Sequence, residues 1–228
     1  MTRLYGGTHD FANATVTGLN TTGDFANVSD IWGDSADYSV TTANSGSASF
    51  DASGLFISTS ATSGGNAAVF KSTYGNELGE VVGGTSSIKF SVGANVSTAP
   101  TDGDSFFGVG ELTVAASGLT YTGNQAGFKI VYASSTATLS ATNANGTTET
   151  ATSIGSITVT NRNNYYFTKD GSTDIKFYVG GTLRATHTTN LPTSGGSPRM
   201  VTTGISNSNT ATNFEMTLGP WSYIREEI

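Results

Sequence analysis

Between residues 164 and 192, three runs rich in aromatic and β-branched residues are separated by two glycine turns. The first is Asn164-Tyr165-Tyr166-Phe167-Thr168-Lys169, and Asp170-Gly171-Ser172-Thr173 follows it. The second is Asp174-Ile175-Lys176-Phe177-Tyr178-Val179; Gly180-Gly181 then leads into Thr182-Leu183-Arg184-Ala185-Thr186-His187. Asp-Gly and Gly-Gly supply the positive φ that tight hairpin turns need. A period of two puts Ile175, Phe177 and Val179 on one face and Asp174, Lys176 and Tyr178 on the other, as in a half-buried strand. The stretch predicts a three-stranded antiparallel meander with a polar outer side.

The same period recurs elsewhere. Residues 54–60, 66–72, 87–92, 106–112, 127–132, 156–160, 201–206, 213–218 and 221–224 read as strands. Residues 137–142 and 147–152 flank Asn143-Ala144-Asn145-Gly146, a hairpin loop. No stretch keeps a helical period. About a dozen short strands punctuated by turns predict an all-β, two-sheet antiparallel sandwich with little or no helix. Four prolines and no Pro/Ser-rich linker favour one domain over residues 24–228. Residues 1–23 read as an N-terminal arm or an irregular strand, and Trp32 belongs to the first strand region.

Cysteine is absent, which excludes disulfides and thiolate chemistry. A net charge of −7 argues against nucleic acid as a partner, because phosphate binding needs a basic stripe. No run approaches the ~18 apolar residues of a membrane-spanning helix, and the start lacks the apolar core of a secretion signal. Only 12% of residues are charged, while Gly, Ser, Thr, Asn and Ala abound, as suits an exposed β protein.

The order of these features resembles the concanavalin A-like (laminin-G-like) jelly roll. Trp32, Gly127-Phe128-Lys129-Ile130-Val131, the Tyr165 to Leu183 meander, Leu191-Pro192 and the Phe214 to Tyr223 ending carry the resemblance. It implies a jelly-roll sandwich in a family that includes lectins, glycoside hydrolases and virion surface proteins, so the fold alone assigns no activity. Position 180 is Gly where many relatives carry Asp, which leaves the hairpin intact.

The hydrolases of that family resemble one another in a strand bearing Glu-x-Asp-x-x-Glu, which sets two carboxylates about 5–5.5 Å apart for retention. Glu77-Leu78-Gly79-Glu80 is the nearest pair here, but a spacing of three puts its members on opposite faces of a strand. His9 and His187 are the only histidines, and neither has a nucleophile elbow nearby. No enzyme is expected, and no cofactor. Calcium needs several oxygen ligands in one loop. Asp102 and Asp104 are candidates, as is the Asp30 to Asp34 loop, although Asp and Gly are equally what a turn prefers. Glycan binding needs an aromatic platform beside polar groups. Tyr178 with Lys176 and Arg184 offers one, and Tyr165 or Tyr166 extends it. Asn-x-Ser/Thr occurs at Asn13, Asn20, Asn27, Asn95 and Asn145, as chance allows in a chain so rich in Ser and Thr.

These features lead to the expectation of a non-enzymatic virus or phage structural protein, made in the host cytoplasm and resident in the virion as a capsid decoration, head-fibre or tail-associated module. Its partners are other virion proteins and itself, as a homo-oligomer such as a trimer, with Trp221, Tyr223 and Ile224 as inter-subunit contacts. The alternative is a carbohydrate-binding or adhesion module that recognises a surface glycan.

Overall fold

A computed structural model of the chain describes residues 14–16, 25–30, 38–51, 54–72, 87–115, 117–155, 157–193 and 199–226. Eighteen β-strands and no helix make up the described residues. The first six are β1 (Ala14–Val16), β2 (Phe25–Asp30), β3 (Ser39–Ala43), β4 (Ser47–Asp51), β5 (Gly54–Ser58) and β6 (Asn66–Ser72). β7 (Ser87–Thr98), β8 (Gly103–Gly110), β9 (Thr113–Ala115), β10 (Gly118–Thr120), β11 (Asn124–Ala133) and β12 (Thr136–Asn145) follow. The last are β13 (Glu149–Ser153), β14 (Asn163–Asp170), β15 (Asp174–Val179), β16 (Thr182–His187), β17 (Arg199–Ser206) and β18 (Glu215–Glu226).

They form a two-sheet antiparallel sandwich. In the nine-stranded sheet β1-β2-β18-β7-β14-β15-β16 lie side by side, with β5 and then β4 joining at β18. The second sheet runs β13-β12-β11-β8-β17-β6-β3. β9 and β10 make a separate ribbon. The strands outnumber the expected dozen because short ones such as β1, β9 and β10 have too few residues to show a period. Of the expected arm, Ala14–Val16 pairs with β2; its remaining residues and Trp32 lie outside the described residues.

The meander forms as the alternation predicts. β15 alternates between half-buried and buried, with Ile175, Phe177 and Val179 inside. Val179 pairs with Thr182 across Gly180 and Gly181, whose φ of 57° and 80° make a two-residue turn that side chains with a Cβ disfavour. The 143–146 hairpin is tighter than expected. β12 runs on to Asn145, whose Oδ1 accepts from the Thr147 and Thr148 amides and replaces two loop residues with an Asx turn.

The core fills the space between the sheets with large rings. Phe107 meets Tyr165 edge-on at 4.8 Å between centroids, and Phe128 meets Phe177 edge-on at 5.6 Å, both across the two sheets. Trp221 and Tyr223 belong to this core, at 1% and 0% exposure. The Trp221 indole N–H donates to the Tyr38 hydroxyl at 3.0 Å. The expectation that Trp221 and Tyr223 form inter-subunit contacts is therefore corrected. β18 lies between β2 and β7, not at an edge, and these two side chains face inward. β18 passes from β5 to β2 at Gly219-Pro220, where the register slips and the missing proline N–H breaks no ladder.

A polar latch closes one side of the sandwich. His187, at the end of β16, is buried, not on the surface. Its Nδ1 bonds Asn143 Oδ1 on β12, and its Nε2 lies 2.9 Å from the Thr152 hydroxyl on β13. Asn143 Nδ2 donates to the Thr189 and Asn190 carbonyls, which leaves Oδ1 as the acceptor and assigns the histidine proton to Nδ1. Burial lowers the His187 pKa below its ordinary 6.5.

Two outcomes follow. Trp221→Ala removes a fully buried ring and lowers stability by about 3–5 kcal/mol in urea denaturation; an unchanged midpoint would put Trp221 outside the core. Between the lowered native pKa of His187 and 6.5 the unfolded chain binds more protons than the native one, so stability falls as pH falls through that window. Thermal melts from about pH 8 to about pH 5.5 should show a smaller loss for His187→Gln than for the parent. Parallel curves would remove His187 as the cause.

Candidate functional site

The outer face of the nine-stranded sheet is built by the residues that alternate with the core. Register aligns Ser222 on β18, Ser91 on β7, Tyr166 on β14, Tyr178 on β15 and Leu183 on β16 in one row. The next row is Ile224, Lys89, Thr168, Lys176 and Thr186. Each strand contributes its out-facing positions because its in-facing ones are locked in the core.

Tyr166 and Tyr178 stand together off this face, their rings stacked at 4.2 Å and 7° between planes. Burial first, and then the neighbouring Tyr178 hydroxyl, raise the Tyr166 phenol pKa. On the β7 side of Tyr166 the row continues with Ser91 and Ser222, whose hydroxyls bond each other at 2.8 Å. One further step along the sheet are Gly93 and Gly219. A Cβ at Gly219 would fall 1.5 Å from the Arg162 guanidinium, so only glycine lets that exposed group lie across the strands. Small residues thus form a low floor beside an aromatic wall.

The next row opens on a groove of about 360 Å³ whose lining includes Lys89, Thr168, Asp170, Lys176, Tyr178 and Ile224. Lys176 pairs with Asp174 Oδ2 at 2.9 Å, and this bond raises its pKa. The structure therefore brings Tyr178 and Lys176 to one groove, and Tyr166 stacks on Tyr178 beside it without lining it. Arg184 does not line it; it sits beside a bulge on the edge strand β16. Tyr165 is a core residue. Ile224, expected at a subunit contact, is half-buried and lines the groove opposite Lys89. Lys89 and Thr168 went unnoticed in the sequence as site residues. The signal was there in Ile88-Lys89-Phe90, a lysine facing out of an alternating strand, but nothing local says that this strand lies beside the meander.

The calcium candidates have other work. Asp102 Oδ1 accepts the Ser134 amide at 2.9 Å in the β11–β12 turn. Asp104 Oδ2 accepts the Leu119 amide at 3.0 Å and holds the β9–β10 ribbon onto the second sheet. Burial raises the Asp104 pKa. Neither its Oδ1 nor the buried Tyr121 hydroxyl attains hydrogen-bond geometry, yet they are close enough for the Asp104 charge to add to the effect of burial in raising the phenol. Lys129 lies 4.6 Å from the Tyr121 ring centroid and pairs with Glu149 at 2.5 Å. These contacts fasten the ribbon over Phe106, Leu112 and Leu119. Among the described residues no three His, Cys, Asp or Glu side chains converge as a metal site would require. His9, Asp34, Glu77 and Glu80 lie outside the described residues, as does the Asp30 side chain.

No protein-family model matches the chain, and no curated protein matches it. Solved structures do. The binding domain of botulinum neurotoxin DC, in complex with rat synaptotagmin II, is similar at 13% identity and a TM-score of 0.52 over 84% of this chain and 44% of that one. A structure of botulinum neurotoxin type C, whose cell entry depends on interaction with two ganglioside molecules, is similar at 12% identity and a TM-score of 0.51, covering 95% of this chain and 49% of that one. The binding domain of serotype D/C gives 14% identity and a TM-score of 0.50, over 84% and 44%. The chain spans less than half the length of these structures. At such identities they share its β-sandwich fold.

Proposed function

We propose that this chain is a non-enzymatic, carbohydrate-binding module on a concanavalin A-like sandwich, and that the outer face of the nine-stranded sheet holds the sugar. The stacked Tyr166–Tyr178 pair carries this reading. It stands on the polar side of the sheet, where no core requires it, beside a floor of serines and glycines. Sugar rings present flat C–H faces that pack on aromatic rings, and hydroxyls that bond to short polar side chains. The same fold accompanies ganglioside-dependent cell entry in the type C neurotoxin, so a sandwich of this kind is compatible with glycan recognition.

Hydrolysis is disfavoured by the groove itself. Asp170 is the one carboxylate among the lining residues, and glycosidases of either stereochemistry need two. Assembly of a virion through Trp221 and Tyr223 loses its contact surface because both are in the core.

A glycan array followed by titration calorimetry tests the proposal. At least one oligosaccharide class should bind, and Tyr178→Ala should weaken that binding by about tenfold or more, as loss of a central aromatic contact does, with an unchanged circular dichroism spectrum. An array without hits, or full affinity in the variant, would overturn it.

A further inference from the structure

We infer that the saccharide held by this face is acidic, and that its carboxylate or sulfate sits above Thr168 between Lys89 and Lys176. This deepens the carbohydrate reading and rests on it. The chain has only 10 Lys and Arg residues against 17 Asp and Glu. Yet Lys89, Arg162, Lys176 and Arg184 all lie on β7, on β15 and β16, or just before β14, and all have solvent-accessible side chains. Asp170 and Asp174 share this face one row away, yet four of the ten cations of an acidic molecule gather around this sheet, which favours anions here over the rest of the surface.

Position decides the rest. Lys89, Thr168 and Lys176 are successive cross-strand partners on three adjacent strands. Neighbouring strands lie about 4.8 Å apart, so an anion above Thr168 has one lysine stem on each side at that spacing. Asp170 is two residues along the same strand, about 7 Å away, so attraction outweighs its repulsion. Lys176 is partly occupied by Asp174, whereas Lys89 is exposed and has no ion-pair partner among the described residues. Lys89 is therefore the group with charge to spare, and Asp174 holds Lys176 in place beside the Thr168 hydroxyl. Tyr178 closes the same groove, which places an apolar sugar face and an anionic substituent within one ring of each other.

The test compares three immobilised ligands of one backbone: a uronic-acid oligosaccharide, a sulfated one, and the neutral form made by reducing the carboxylates. At least one acidic ligand should bind about tenfold or more tightly than the neutral one, and its affinity should fall as salt rises. Lys89→Gln should erase most of that preference with an unchanged circular dichroism spectrum, since Lys89 is exposed and supports no core contact. Equal binding of acidic and neutral ligands, or a preference untouched by Lys89→Gln, overturns the acidic assignment while the carbohydrate reading stands. No binding to any of the three, with hits for neutral glycans on the array, also overturns it. An array blank for every glycan removes both.

Discussion

The edge-on packing of Phe107 and Phe128 from one sheet against Tyr165 and Phe177 from the other holds the two halves of this protein together. Once those rings interdigitate, the faces of β8, β11, β14 and β15 are decided. A one-residue slip of β14 would move Tyr165 and Phe167 out to water and Tyr166 and Thr168 inside. The polar outer face is thus a consequence of the apolar inner one. The groove needs no separate means of placing its side chains, because every residue in it neighbours a locked core residue in sequence.

The central strands allow that face to be hollow. β7 and β18 are the longest strands and pair with each other along much of their length, with register slips between Glu215 and Met216 and between Leu218 and Trp221. Their inward positions carry Phe90, Val92, Trp221 and Tyr223. Midway along them the outward positions carry Ser91 and Ser222 with Gly93 and Gly219 one step on, and Lys89 and Ile224 stand at the groove end. Large inside and small outside makes a sheet stable from one side and open on the other. Arg162 occupies the far end of this opening because Gly219 has no Cβ to stop it. A side chain there would displace the guanidinium, so the glycine at the bulge serves the surface as well as the backbone.

The opposite sheet is organised differently. Its outer face is covered in part by the β9–β10 ribbon, with Phe106, Leu112 and Leu119 as a small second core and Asp104, Tyr121, Lys129 and Glu149 around its polar side. That covering uses Asp104, one of the carboxylates that the sequence offered as metal ligands. The His187 latch ties β16 to this sheet, so the edge of the meander is held by hydrogen bonds as well as by Phe177. Local hydrogen bonding, not a ligand, accounts for most of the polar groups that drew notice in the chain.

The sequence by itself determined the all-β class, the meander with its glycine turns, and which of Tyr178 and Phe177 faces water. These depend on a period of two and on positive φ, both local properties of a few residues. It misled at Trp221 and Tyr223, where large aromatic residues near the chain end read as a contact surface. Their alternation with Ser222 and Ile224 marks a half-buried strand, but not its place in the sheet. It also left Lys89 without significance and divided Tyr165 from Tyr166 only loosely. Tertiary structure alone decided that β18 is central, that β7 borders β14, and that Lys89, Thr168 and Lys176 share one row. Sheet order depends on which buried faces fit each other across long separations in the chain. No short window of sequence contains that information.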